Sequence, residues 1–266
     1  MPFSILHLCK KSLGLIKQDP FLLVPYLVFF LSNQIFHQLF PHFLKQNNTI
    51  LMLEVMVLTW IIELFFKSLT LLLAGSVYRG HPFSLKKTLY ISFQRFLILL
   101  IGTGPFIIPI MISTQVFYKT PPTQVDISMI SLLIFTLVLI PVSLILEMVP
   151  LPILLEKKAY FQGIKEAYRF VKTEFRKVLL VTSLTLCIII ICSLLSLWVT
   201  TPSLTTNDNF APLLSALGNS LESIIQAFGY CFIYCILTVF YLDIKTQKLN
   251  ETKSSDSPSF PDPNSI

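Results

Sequence analysis

The sequence predicts an all-α integral membrane protein: six transmembrane helices, with three amphipathic interfacial helices on the cytoplasmic side. Three observations carry that reading. First, only 13% of the 266 residues are charged, 54% are hydrophobic, and mean hydropathy is +0.73. A soluble globular protein carries about 25% charge, so this chain cannot cover its surface in water and lipid is its expected solvent. Second, apolar runs of membrane length recur between short polar segments. About 20 helical residues at 1.5 Å rise cross roughly 30 Å of hydrocarbon. Third, 17 of the 20 lysines and arginines fall on alternate flanks of those runs, which is a topology signal.

In order, residues 4–18 (SILHLCKKSLGLIKQ) read as a short amphipathic helix ended by Asp19-Pro20. The first span covers about 21–40, and Asn33, Gln34, His37 and Gln38 weaken its far half. No small-residue cleavage site follows Lys10, Lys11 and Lys17, so this span is expected to stay in the protein. A polar turn at 41–49 leads to the second span, about 51–76, which ends at Arg79-Gly80. Residues 84–95 form the second short helix. The third span, about 96–117, is interrupted by Gly102, Gly104-Pro105 and Pro109. A turn with Pro121-Pro122 precedes the fourth span, about 129–150, which carries Pro141 and Pro150.

Residues 156–177 (EKKAYFQGIKEAYRFVKTEFRK) are the most charged stretch. Phe161, Ile164, Tyr168, Val171, Phe175 and Val178 recur at helical spacing and make one apolar stripe. Lys158, Lys165, Arg169, Lys172, Arg176 and Lys177 occupy the rest of the circumference, a pattern suited to a helix lying along an anionic membrane surface. The fifth span covers 178–200 and the sixth about 221–242. Residues 1–246 read as one polytopic membrane domain, and 247–266, rich in Ser, Pro, Asn and Asp, as a disordered cytoplasmic tail. The basic flanks place both termini in the cytoplasm of a cell membrane, most simply a bacterial inner membrane.

The layout of short helix, span, turn and span occurs three times. KKSLGLIKQD (10–19) superposes on KEAYRFVKTE (165–174), with KKTLYISF (86–93) between them. Ser12, Thr88 and Ala167 share one position, and the units end alike at VYR (77–79), LEK (155–157) and LDIK (242–245). A triplicated two-span unit of about 78 residues accounts for this.

The segment LLEKKAYFQGIKEAYRFVKTEF, with YRGHPFSLKKTLYISF and VFYLDIKTQK, resembles bacterial six-span families. These include the YciC-like proteins and the membrane domain attached to some glycerophosphodiester phosphodiesterases. The resemblance implies a six-span fold. The soluble catalytic barrel of the phosphodiesterases has no counterpart in this chain, so their activity does not carry over.

Charge inside a span is costly and marks candidate functional residues. Glu63 and Lys67 are four apart and can pair on one helix turn. Glu147 is a lone carboxylate in the fourth span, either solvated at the interface or paired with Lys67 from the second. Glu156 and Asp243 end two units and can pair with nearby lysines or cap helices. Cys231 and Cys235 make a small-residue packing stripe with Ala227, and a metal or redox pair is the alternative. No HExxH, GxSxG or P-loop occurs, so no catalytic residue, metal ligand or cofactor site is assigned. The expected partners are the bilayer, anionic lipid at the cytoplasmic leaflet, and a membrane-protein partner or second copy. Nucleic acid is not expected, because the basic residues flank apolar runs. The expected function is non-enzymatic organisation of lipid or protein at that leaflet. The alternative is a transporter or permease component using the kinked third and fourth spans.

Overall fold

The computed structural model describes residues 3–39, 49–81, 85–119, 142–200 and 211–255. The expected turns at 41–48 and 120–126, the first half of the fourth span, most of the loop at 201–212 and the last part of the tail lie outside them. Among the described residues every regular element is helical: α1 (Ile5–Gln18), a 3-10 turn (Pro20–Leu23), α2 (Val24–Leu39), α3 (Thr49–Tyr78), α4 (Leu85–Lys119), α5 (Pro150–Leu155), α6 (Tyr160–Thr173), α7 (Phe175–Thr200) and α8 (Ala211–Ser255). The short α5 closes an apolar helical stretch, Val142–Leu155. Helices α3, α7 and α8 are each long and apolar enough to cross a membrane, and α1 with α2 adds a fourth if that bent pair is one span.

The bend between α1 and α2 has a local cause. Asp19 caps the turn, its carboxylate accepting from the Phe21 N–H at 3.1 Å. Pro20 has no N–H to continue α1 and pre-sets the next turn, so the axis swings by 102°. No such break separates residues 84–95 from the third span. The expected short helix there is continuous with α4, which runs helical from Leu85 to Lys119 through Gly102, Pro105 and Pro109.

Helix α8 is the pillar. Its apolar window is 67% buried, against 28% for α3 and 22% for α7. It packs on α1, α2, α3 and α7. The stripe Ala227, Cys231 and Cys235 is fully buried, and the Cys231 thiol donates to the Leu22 carbonyl at 3.2 Å. On another face Gly229 abuts Cys192 of α7, where a Cβ would collide with its sulfur. Aromatic rings fill the space between α2, α3 and α8. Tyr26 stacks on Tyr234 at 5.4 Å, Phe30 meets Tyr230 at 5.3 Å, and Phe29 meets Phe66 at 5.8 Å. Residues 247–255, read from sequence as the start of the disordered tail, continue α8 as helix.

Helix α6 divides into three sectors at 100° per residue. Gly163, Ala167 and Phe170 are buried. Phe161, Tyr168 and, beyond the helix end, Phe175 are exposed and apolar. Lys165, Arg169 and Lys172 are exposed and basic. The stripe expected from periodicity is therefore split: Val171 and Val178 are buried, while Phe161, Tyr168 and Phe175 face outward. The buried sector was hidden because glycine and alanine carry little hydropathy yet allow close approach.

Burial also repeats at the offsets seen in the sequence. Ser12, Thr88 and Ala167 are all buried, as are Ile16, Ser92 and Val171, while Leu13, Leu89 and Tyr168 are all exposed.

The closest approach in this region is Gly163 against Ile153, where any Cβ meets the isoleucine side chain. Gly163→Ala is expected to lower stability by about 1–3 kcal/mol, the usual cost of overpacking. The penalty should shrink in an Ile153→Ala background. Thermal unfolding in detergent reads it, and an equal penalty in both backgrounds would show that the contact is not the cause.

Candidate functional site

Among the described residues, two clusters of charged side chains stand out in the largely apolar bundle. The first draws on seven segments: α1, α3, α4, Val142–Leu155, α6, α7 and α8. Helix Val142–Leu155 stops at Glu156, and the next residue, Lys157, turns the chain back with φ +57°. Its last carbonyls have no helical partner and need donors. Two arginines from elsewhere supply them. Arg79 donates to the Leu155 carbonyl at 2.9 Å, and Arg95 to the Ile153 carbonyl at 2.5 Å. Cations here also oppose the negative end of the helix dipole.

Around that end the acidic residues gather the lysines. Lys11 of α1 pairs with Asp243 of α8 at 2.5 Å and also donates to the Tyr78 hydroxyl at 3.2 Å. The Tyr78 hydroxyl in turn donates to Asp243. Glu156 accepts from the Tyr241 hydroxyl at 2.6 Å and pairs with Lys245 at 3.2 Å and Lys158 at 3.7 Å. Lys245 also pairs with Glu166 of α6. Glu174, between α6 and α7, pairs with Lys177 at 2.8 Å and Lys248 at 3.0 Å. The expected pairing of Glu156 and Asp243 with lysines is what the structure contains.

The connections link the helices crosswise. Helix α1 binds Tyr78 of α3 and Asp243 of α8. Helix α6 packs on Ile153 and binds Lys245 of α8. Arg95, near the start of α4, binds the end of Val142–Leu155.

Of the six candidate lipid contacts, Lys158 and Lys177 are engaged with Glu156 and Glu174. Lys165, Arg169, Lys172 and Arg176 are exposed. Two clefts open in the same layer. One, of about 340 Å³, lies between α6 and α8 and is lined by Arg169, Lys245, Lys248 and Leu249 among others. The other, of about 530 Å³, is walled by His7, Lys11, Lys177 and Asp243 over Leu8 and Phe240.

The second cluster joins the intramembrane candidates. Lys67 Nζ meets Glu147 Oε2 at 3.0 Å, across 80 residues of sequence. Glu63, one turn from Lys67, lies within electrostatic range of both. The Tyr234 ring lies 5.2 Å from the ammonium, a cation–π arrangement. Of the two pairings expected for Lys67, with Glu63 on its own helix or with Glu147 on the fourth span, the structure makes the second. A long lysine side chain reaches a facing helix as readily as its own next turn.

Sequence reasoning missed the tyrosines. Tyr26, Tyr230 and Tyr234 were counted as apolar, though a phenol hydroxyl within a span needs a partner and is itself a signal. Arg79 and Arg95 were counted only as topology markers. The proline-bearing helix end beside Glu156, which leaves carbonyls open, was the available clue.

No family model matches the chain, and no curated protein or solved structure is significantly similar to it.

The acidic members of the polar layer set its pH response. The hydrogen bond from Lys245 holds the Glu166 carboxyl below its ordinary value. Burial pushes Glu174 up, but the hydrogen bonds from Lys177 and Lys248 outweigh it and leave that carboxyl lowered too. A carboxyl depressed by folding adds stability above its unfolded value, about 4.3, and loses it as pH falls through the folded value. The melting midpoint in detergent should therefore drop on acidification below about pH 4.3, and drop less steeply in Glu166→Gln/Glu174→Gln. Identical slopes would contradict the assignment.

Proposed function

We propose that the chain is a six-span membrane protein that organises anionic lipid, or a membrane-protein partner recruited with it, at the cytoplasmic leaflet of a bacterial-type cell membrane. In this reading both termini and the three unit-opening segments share that leaflet, the two-span unit is triplicated, and the protein is non-enzymatic. The likeness of residues 156–177 to YciC-like six-span families belongs to the same proposal.

The observation that carries it is the edge of α6. An exposed apolar row of Phe161 and Tyr168 runs beside an exposed basic row of Lys165, Arg169 and Lys172. Such a helix places aromatics at the acyl boundary and cations at the phosphates. Its third face is already committed to Ile153 and α8, so the helix is held in place rather than free to leave the membrane. The adjoining cleft, lined by Arg169, Lys245 and Lys248 together with Glu166, has room for a headgroup beside Arg169. A second reading, a transporter or permease component, is favoured by the Lys67–Glu147 bond, since charges at that depth are expensive and commonly serve an ion or substrate.

The lipid reading is tested by native mass spectrometry of the purified protein with phosphatidylglycerol and phosphatidylcholine. Each basic residue near an anionic surface contributes about 1 kcal/mol, or roughly fivefold. Replacing Lys165, Arg169, Lys172 and Arg176 together by Gln should reduce the preference for phosphatidylglycerol by more than about fivefold. An unchanged preference, in a variant with an unchanged melting midpoint, would refute it.

A further inference from the structure

The intramembrane cluster places two carboxylates in electrostatic range of one ammonium group. Lys67 is bound to Glu147 at 3.0 Å, and Glu63 stands one turn away on α3, within electrostatic range of both. Lys67 is 11 residues from the end of α3 at Tyr78, which is about 16 Å along the helix and near mid-depth of a bilayer core of roughly 30 Å.

The groups facing the cluster from neighbouring elements are Tyr26 on α2, Tyr230 and Tyr234 on α8, and, beside Tyr230, Cys192 on α7. None of these is a cation. The guanidinium groups of Arg79 and Arg95 are bound to the carbonyls of Leu155 and Ile153 in the polar layer. With both carboxylates ionised, the described groups leave one negative charge uncompensated. Hydrocarbon solvates such a charge poorly, so taking up a proton is favoured over leaving it uncompensated.

An independent feature points the same way. The Tyr26 hydroxyl is fully buried and makes no well-formed hydrogen bond. Its ring stacks on Tyr234, whose own ring lies over Lys67, and Tyr26 is in electrostatic range of Glu63. The Tyr234 hydroxyl is its polar neighbour, and a buried phenol so poorly satisfied gains from any further partner the cluster supplies.

We propose that Glu63, Lys67 and Glu147 form an intramembrane proton-binding site, in which the two carboxylates share one lysine and one exchangeable proton. In the bound state one carboxyl is neutral and the other is paired with Lys67. On release, the proton passes to water and the cluster takes on a net negative charge. The site stands independently of the lipid reading, and it gives the transport reading a coupling ion.

Infrared spectroscopy of the purified protein in phosphatidylglycerol nanodiscs tests it. A carbonyl band from a protonated carboxyl group is expected at neutral pH and should vanish on alkaline titration. Glu63→Gln and Glu147→Gln should each abolish it, because one carboxylate then remains for one lysine. Lys67→Met should enlarge it, because both carboxyls then take up protons. Glu63→Asp, which keeps the charge if the glutamine variant fails to fold, should retain it. Absence of the band at neutral pH, its survival in both glutamine variants, or its loss on adding sodium at constant pH would overturn the proposal.

Discussion

Hydrocarbon tolerates neither an unpaired charge nor an open helix end, and this constraint shapes the whole bundle. Where the helix Val142–Leu155 stops, its free carbonyls draw in Arg79 and Arg95 from two other segments. Those contacts bring the ends of α3 and the opening stretch of α4 to the same level. Asp243 and Glu156 then collect Lys11 and Lys245. No single exposed pair here is worth much. Their joint effect is positional: seven segments meet in one polar layer, and their apolar lengths run away from it together.

The polar layer and the pillar depend on each other. Helix α8 runs from the aromatic core, where Tyr230 and Tyr234 meet α2, to the polar layer, where Asp243, Lys245 and Lys248 face α1 and α6. A continuous helix of this length can couple the two regions. The intramembrane cluster sits on its side, with Tyr234 over Lys67. A change of charge at Lys67 and Glu147 would therefore be felt by the same helix that anchors the basic edge of α6. This link lets one architecture accommodate both functional readings.

Much of the fold was legible because membrane helices announce themselves by apolar length. The Asp19-Pro20 break, the Ala227–Cys231–Cys235 packing stripe and the lysine partners of Glu156 and Asp243 were all readable, since each follows from local chemistry. Three things were not. Periodicity located α6 but misjudged which side is buried, because Gly163 and Ala167 contribute space rather than hydropathy. Spacing offered Lys67 two partners, Glu63 on its own helix and Glu147 on the facing one, and only the fold chose between them. Composition marked 247–255 as tail, although Lys248 is tied to Glu174 and holds the helix end. In each case the missing information was the identity of a neighbour distant in sequence.

The central claim is that the basic segments share one side of the membrane. Single cysteines at Lys10→Cys, Lys87→Cys, Lys165→Cys and Glu251→Cys, placed in a chain whose native cysteines are replaced, test it directly with a membrane-impermeant maleimide. All four should resist labelling in intact cells and react in inverted vesicles. Labelling of even one of them from outside, with the others protected, would contradict the account.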